Sequence, residues 1–195
     1  MKNYRRFSLL SCLVMLFAAL ALTGCFAKND VRLLYDMEGT KVVPSATAPR
    51  IVVVQFEDKR ASTELGLRKD GTLFQTSGSV ASWTTQALAD ELAARGAQVS
   101  VALSMAQAEL NQPQYIVTGE VDHVKLTEKN LTSYQAEIRL QTRLYTASQL
   151  TFTRTFTAQQ EKTGIPGAKL MEQTLSGALA EALSSASTSI MGSLR

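Results

Sequence analysis

Four groups in this chain have residue types that could do chemistry: His123 beside Asp122, Ser79 after Gly78, the run Glu57-Asp58-Lys59-Arg60, and Cys25. A histidine next to a carboxylate can move protons, provided the two meet in a hydrogen bond. His123 is the single histidine of the chain. If the residues around it are extended, neighbouring side chains point to opposite faces, so Asp122 and His123 cannot form a dyad. A nucleophilic Ser79 would need that same histidine, and "TSGSV" lacks the second glycine of the G-x-S-x-G elbow. There is no His/Cys set for zinc, no D-x-D-x-D-G loop for calcium and no glycine motif that cradles phosphate. No catalytic residue, metal or cofactor is therefore expected, and the chain reads as a non-enzyme.

The charge run follows "RIVVVQF", a segment of strand character. Ligands collect beyond the carboxyl ends of strands in open sheets. This makes Glu57, Asp58, Lys59 and Arg60, with Arg68 and Lys69 in the loop that follows, the candidate binding surface. The competing reading is a solvated turn.

Cys25 is the most specific of the four groups. Lys2, Arg5 and Arg6 precede an uncharged segment, Phe7 to Leu22, the basic and apolar regions of an export signal. Sixteen residues fall short of the roughly 20 that span a bilayer as a helix. The segment closes on Leu22-Thr23-Gly24-Cys25, which resembles the bacterial lipobox. That resemblance implies cleavage between Gly24 and Cys25, a diacylglyceryl group on the sulfur and an acyl chain on the new amino terminus. Several acyl chains together hold a protein on a membrane, whereas one does so only marginally. Residue Phe26 stands where an aspartate would retain such a protein at the inner membrane, so the expected location is the outer membrane, facing the periplasm.

Removing the leader changes the charge balance. The full chain has 20 basic and 17 acidic residues; loss of Lys2, Arg5 and Arg6 leaves 17 against 17. The basic excess that nucleic-acid binding requires is gone. Cys12 leaves with the leader, and a lipidated Cys25 offers no thiol for a disulfide, so stability must come from a packed core.

The elements that would carry this core are readable from their periods. Ile51 to Phe56 is a continuous β-branched and apolar run, the pattern of a strand covered on both faces. Residues 61–78 hold three glycines and an Asp70-Gly71 turn signal, which predicts a long loop or irregular hairpin. Ser79 to Arg95 places Val80, Trp83, Ala87, Leu88 and Leu92 on one helical stripe, ended by Gly96, with the Trp83 indole N–H needing one partner. Gln98 to Leu103 reads as a strand, and Ser104 with Gln107 as a capping box opening a short helix. Three strands follow, 115–126, 133–146 and 150–157, separated by hairpin-length loops. In the middle one Tyr134, Ala136, Ile138, Leu140 and Leu144 oppose Gln135, Glu137, Arg139, Gln141 and Arg143; the third carries a threonine row at 151, 153, 155 and 157. A last helix spans 168–191. The fold class is α+β: a single domain with a mixed sheet, an antiparallel meander and two main helices packed on one face. The boundaries are 1–24 for the signal peptide, 25–49 for a lipidated tether with an early strand at "VRLLY", and 50–195 for the periplasmic α+β domain.

With the lipobox, "IVVVQFEDKR", "ALADELAARGAQV", "YIVTGEV", "YQAEIRLQTRLY" and "LSGALAEAL" in place, the layout resembles the YajG-like family of bacterial outer-membrane lipoproteins. It is also similar to the auxiliary lipoproteins of ABC-type intermembrane transport systems. Neither resemblance carries a catalytic residue. Both imply a membrane contact through the lipid on Cys25 and a non-enzymatic binding or accessory module with a protein partner in the envelope. A structural lipoprotein supporting outer-membrane integrity is the alternative.

Overall fold

The computed structural model describes residues 29–35 and 42–194. Gly24 and Cys25, on which the export and lipidation expectations rest, lie outside the described residues. The elements in chain order are β1 (Arg50–Val54), β2 (Glu57–Asp58), β3 (Gly66–Leu67), β4 (Leu73–Phe74), α1 (Val80–Ala94), β5 (Gln98–Ala102), α2 (Met105–Leu110), β6 (Tyr115–Asn130), β7 (Ser133–Thr146), β8 (Gln149–Thr163) and α3 (Ala168–Ser193).

The apolar run at 51–54 is explained by its place in the sheet. β1 lies between β5 and β6 and is parallel to both, with Val52 level with Ser100 on one side and Ile116 on the other. Ile51 and Val53 enter the main core, while Val52 and Val54 join Ala102, Ala108 and Ile116 in a smaller cluster on the opposite face. The short α2 covers that second cluster through Ala108 and Met105. A strand with both faces covered needs no polar alternation.

β2 and β3 continue along the same edge of β6, pairing Glu57 with Glu120 and Gly66 with Leu126, and β4 returns antiparallel on β3. The irregular hairpin expected at 61–78 is thus β3–β4. Gly66 is required there, since its φ is +138° and a Cβ would stand 2.0 Å from the carbonyl oxygen of Leu126. β6, β7 and β8 form the antiparallel meander. The sheet is therefore mixed, as the sequence predicts.

α1 and α3 pack on one face of it. Their stripes, Trp83, Leu88 and Leu92 from α1 and Leu175, Leu179, Leu183 and Ile190 from α3, meet Tyr134, Ile138, Leu140 and Leu144 of β7 in one cluster. α1 is capped as its sequence implies: the Ser79 side chain accepts from the N–H of Ser82, and Gly96 follows with φ +89°.

Two strands are longer than the apolar pattern predicts. β6 runs on to Asn130 and β8 to Thr163, because β7 supplies ladder partners as far as Asn130↔Ser133 and Ser133↔Thr163. Backbone pairing on an established neighbour continues after the side-chain alternation has faded. Another departure is a bulge between Val121 and His123, which adds Asp122 as an extra residue.

Residues 29–35, within the span read as tether, are packed against the domain. Val31 is fully buried, and its N–H donates to Gln75 while the N–H of Gln75 donates to Asn29. The alternation of "VRLLY" does this: Val31, Leu33 and Tyr35 face the core and Arg32 and Leu34 face away. The Trp83 indole N–H finds its partner here, donating to the Leu34 carbonyl at 3.0 Å.

Candidate functional site

The four charges of the run neutralise one another. Lys59 pairs with Glu57 at 2.6 Å, and Arg60 grips both oxygens of Asp58 at 2.8 and 2.7 Å. Spacing by two along extended chain puts each pair on one side. The hydrogen bond from Lys59, then its charge, holds the Glu57 carboxyl below the usual carboxylate range, and Arg60 does the same for Asp58. Each charge in the run has an opposite charge beside it.

Glu57 stands level with Glu120, which pairs with Arg143 at 2.9 Å. Arg143 in turn donates to Gln141 at 2.6 Å. The face continues across the meander, where Arg143, Gln141 and Arg139 lie opposite Thr153, Thr155 and Thr157. The wet face of β7 and the threonine row of β8 are one polar surface on the side of the sheet away from α1 and α3.

Arg68 and Lys69 belong elsewhere. The Arg68 guanidinium sits 5.2 Å over the Phe74 ring and roofs the β3–β4 hairpin, while the N–H of Lys69 donates to Glu128 at 3.2 Å. The six residues expected to form one surface are thus strung out along one edge of β6, the run 57–58 level with Glu120 and Val121 and the turn after β3 beyond Leu126 and Thr127.

The bulge brings Asp122 and His123 onto the rim of one shallow recess with Arg60 and Lys125. Strict alternation, which predicts opposite faces, fails at a bulge. Among the described residues no hydrogen bond joins the two side chains. No three His, Cys, Asp or Glu residues converge on a possible metal position, again among the described residues.

An open groove of about 810 Å³ lies between α3, the end of α1 and Arg32-Leu34. Several of its charged groups are engaged: Arg32 with Glu172 and Arg95 with Ser184 and Ser187 across the walls, and Glu91 with Arg95 one turn on and with the Tyr35 hydroxyl. Arg32 is held protonated by its hydrogen bond to Glu172, and burial followed by the bond to Glu91 pushes the Tyr35 hydroxyl well above its ordinary range. The serines of α3 that form one wall are visible in the sequence. The opposite wall comes from segment 29–35, and no local pattern announces where that segment docks.

No protein-family model and no curated protein sequence matches this chain. Its fold is similar to that of protein XCC0632 from Xanthomonas campestris, of the DUF330 family, at 16% identity over 79% of this chain and 93% of that one, TM-score 0.55. An uncharacterised protein of known structure matches at 14% identity over 78% and 99%, TM-score 0.52. PelC from Paraburkholderia phytofirmans, solved as a dodecamer, matches at 15% identity over 75% and 93%, TM-score 0.48. What XCC0632 and the uncharacterised protein share with this chain is the α+β fold.

Proposed function

We propose that this chain is a bacterial lipoprotein, exported by residues 1–24, acylated on Cys25 and held on the periplasmic face of the outer membrane. There its domain acts as a non-enzymatic accessory module of an envelope system, of the ABC-transport auxiliary or YajG-like kind. The observation that carries the reading is the sequence Leu22-Thr23-Gly24-Cys25 at the end of an uncharged leader, with a folded domain that begins within four residues of the cysteine. Support comes from the charge run, in which Glu57 pairs with Lys59 and Asp58 with Arg60. The polar face of β7 and β8 is the surface offered to a protein partner.

The test is mild crosslinking in the native envelope from positions on β8, such as Thr155, followed by purification through the full-length chain. Recovery of a permease or substrate-binding component of a transporter is the expected result. A chain that stays uncrosslinked in every envelope fraction, or that retains residues 1–24 by mass spectrometry, contradicts the reading.

A further inference from the structure

Four exposed apolar side chains lie at one end of the sheet. Leu131, in the β6–β7 turn, is 80% exposed and Ile165, between β8 and α3, is 90% exposed; Leu67 and Leu73 of the β3–β4 hairpin are 52% and 40% exposed. Leu131 and Ile165 sit on neighbouring loops, tied where the N–H of Gly164 donates to the Thr132 carbonyl at 2.9 Å. β3 reaches the same end through its pairing with Leu126 and Thr127. Exposed lysines flank the tips at 129 and 169, while the Lys162 side chain runs along α3 toward Gly177. Among the described residues none of the three is in an ion pair. Two nearby carboxylates are already engaged, Glu128 by the N–H of Lys69 and Glu161 by the Ser133 hydroxyl.

The described chain begins at this same end. Asn29 is bonded to Gln75, the residue after β4, and Asp30 bridges to Gln75. Asn29 is four positions after Cys25, a reach of at most about 14 Å when fully extended. The sixteen residues of β6 span roughly 50 Å. An acyl group on Cys25 therefore reaches the end bearing Leu131 and Ile165. It cannot reach the opposite end, where Leu103 and Leu110 are also exposed.

We propose that this rim is a membrane-contact surface: Leu131 and Ile165, with Leu67 and Leu73 beside them, dip into the phospholipid interface while Lys129 and Lys169 extend to the phosphates. Apolar tips with cationic side chains around them suit the interface of a bilayer, where the stems lie in the apolar layer and the ammonium groups stay wet. The sheet would then stand on its β6–β7 turn. Its opposite end, with α2 and the β7–β8 turn, would face away from the bilayer. This inference rests on the lipid anchor proposed above.

The test uses the full-length acylated chain in vesicles of phosphatidylethanolamine and phosphatidylglycerol. An environment-sensitive fluorophore is attached at Leu131→Cys, Ile165→Cys or, as the distal control, Leu110→Cys. A lipid-borne nitroxide is expected to quench the first two labels several-fold more than the third, and aqueous iodide to do the reverse. Protein that floats with the vesicles and carries acylated Cys25 by mass spectrometry, yet shows equal iodide quenching at all three positions, overturns the rim alone. Protein that does not float and has an unmodified Cys25 overturns the anchor and the rim together.

Discussion

Arg32 and Glu172 stand 140 residues apart in sequence and are joined by two hydrogen bonds, 2.8 Å from Nε and 3.1 Å from Nη2. The carboxylate is 6% exposed and the arginine 69% exposed. A largely buried anion on α3 is thus neutralised from outside by a segment that precedes the first strand. Removing the arginine leaves the anion without its partner, whereas Glu172→Gln removes the charge itself. Arg32→Gln is therefore expected to lower the urea midpoint more than Glu172→Gln. The double variant should recover part of the loss, and a double-mutant cycle in urea checks this.

Segment 29–35 should unfold with the domain. Val31 is fully buried, and Val31→Ala is expected to cost about 2 kcal/mol. Trp83, the single tryptophan, reports on the segment through its bond to Leu34. Its emission and the far-UV circular dichroism should follow one coincident transition in urea. Emission changing first would mean that the segment undocks separately.

Gly119 has no room for a side chain. A Cβ there would stand 2.3 Å from two atoms of the Phe56 ring and 2.7 Å from the Gln141 carbonyl oxygen. The carbonyl belongs to the β6–β7 ladder and cannot turn away. Gly119→Ala is expected to destabilise by roughly 3 kcal/mol, and Phe56→Leu in the same chain should relieve only the ring's share. Thermal denaturation of Gly119→Ala, Phe56→Leu and the double variant separates the two contributions.

Tyr35 predicts an alkaline weakness. Burial first, then the 2.6 Å hydrogen bond to Glu91, keeps its hydroxyl protonated in the fold at pH values where the unfolded chain has lost the proton. The folded pKa is raised, so the stability this provides is complete below about pH 10 and is lost as pH rises beyond it. The urea midpoint should fall above pH 10, and Tyr35→Phe should flatten that fall. At neutral pH the same variant should be less stable by about 1 kcal/mol, having lost the bond.

Local periodicity was enough to set the elements. A β-branched run needing cover on both faces, the one-wet-face alternation at 133–146 and two apolar helical stripes are properties of nearest neighbours in the chain, and they lead to the same α+β sheet with α1 and α3 on one face. The serine before α1 and the glycine after it marked its ends for the same reason. The lysines at 129 and 169 and the exposed Leu131 and Ile165 were equally present in the sequence, but nothing local places them on one rim.

Only the tertiary structure decided the rest, because it depends on pairings between distant residues. The bulge at Asp122 put that residue and His123 on the rim of one recess, and it comes from how β6 registers against β7. The docking of Val31 and Arg32 depends on a strand edge at Gln75 and a carboxylate at Glu172 that the chain reaches much later. The candidate surface divided for the same reason: spacing by two let Glu57–Lys59 and Asp58–Arg60 satisfy each other, while Arg68 went to Phe74 and the N–H of Lys69 to Glu128. The type of each residue was legible in the sequence, but whether its charge remained available was decided by the partner the fold placed beside it.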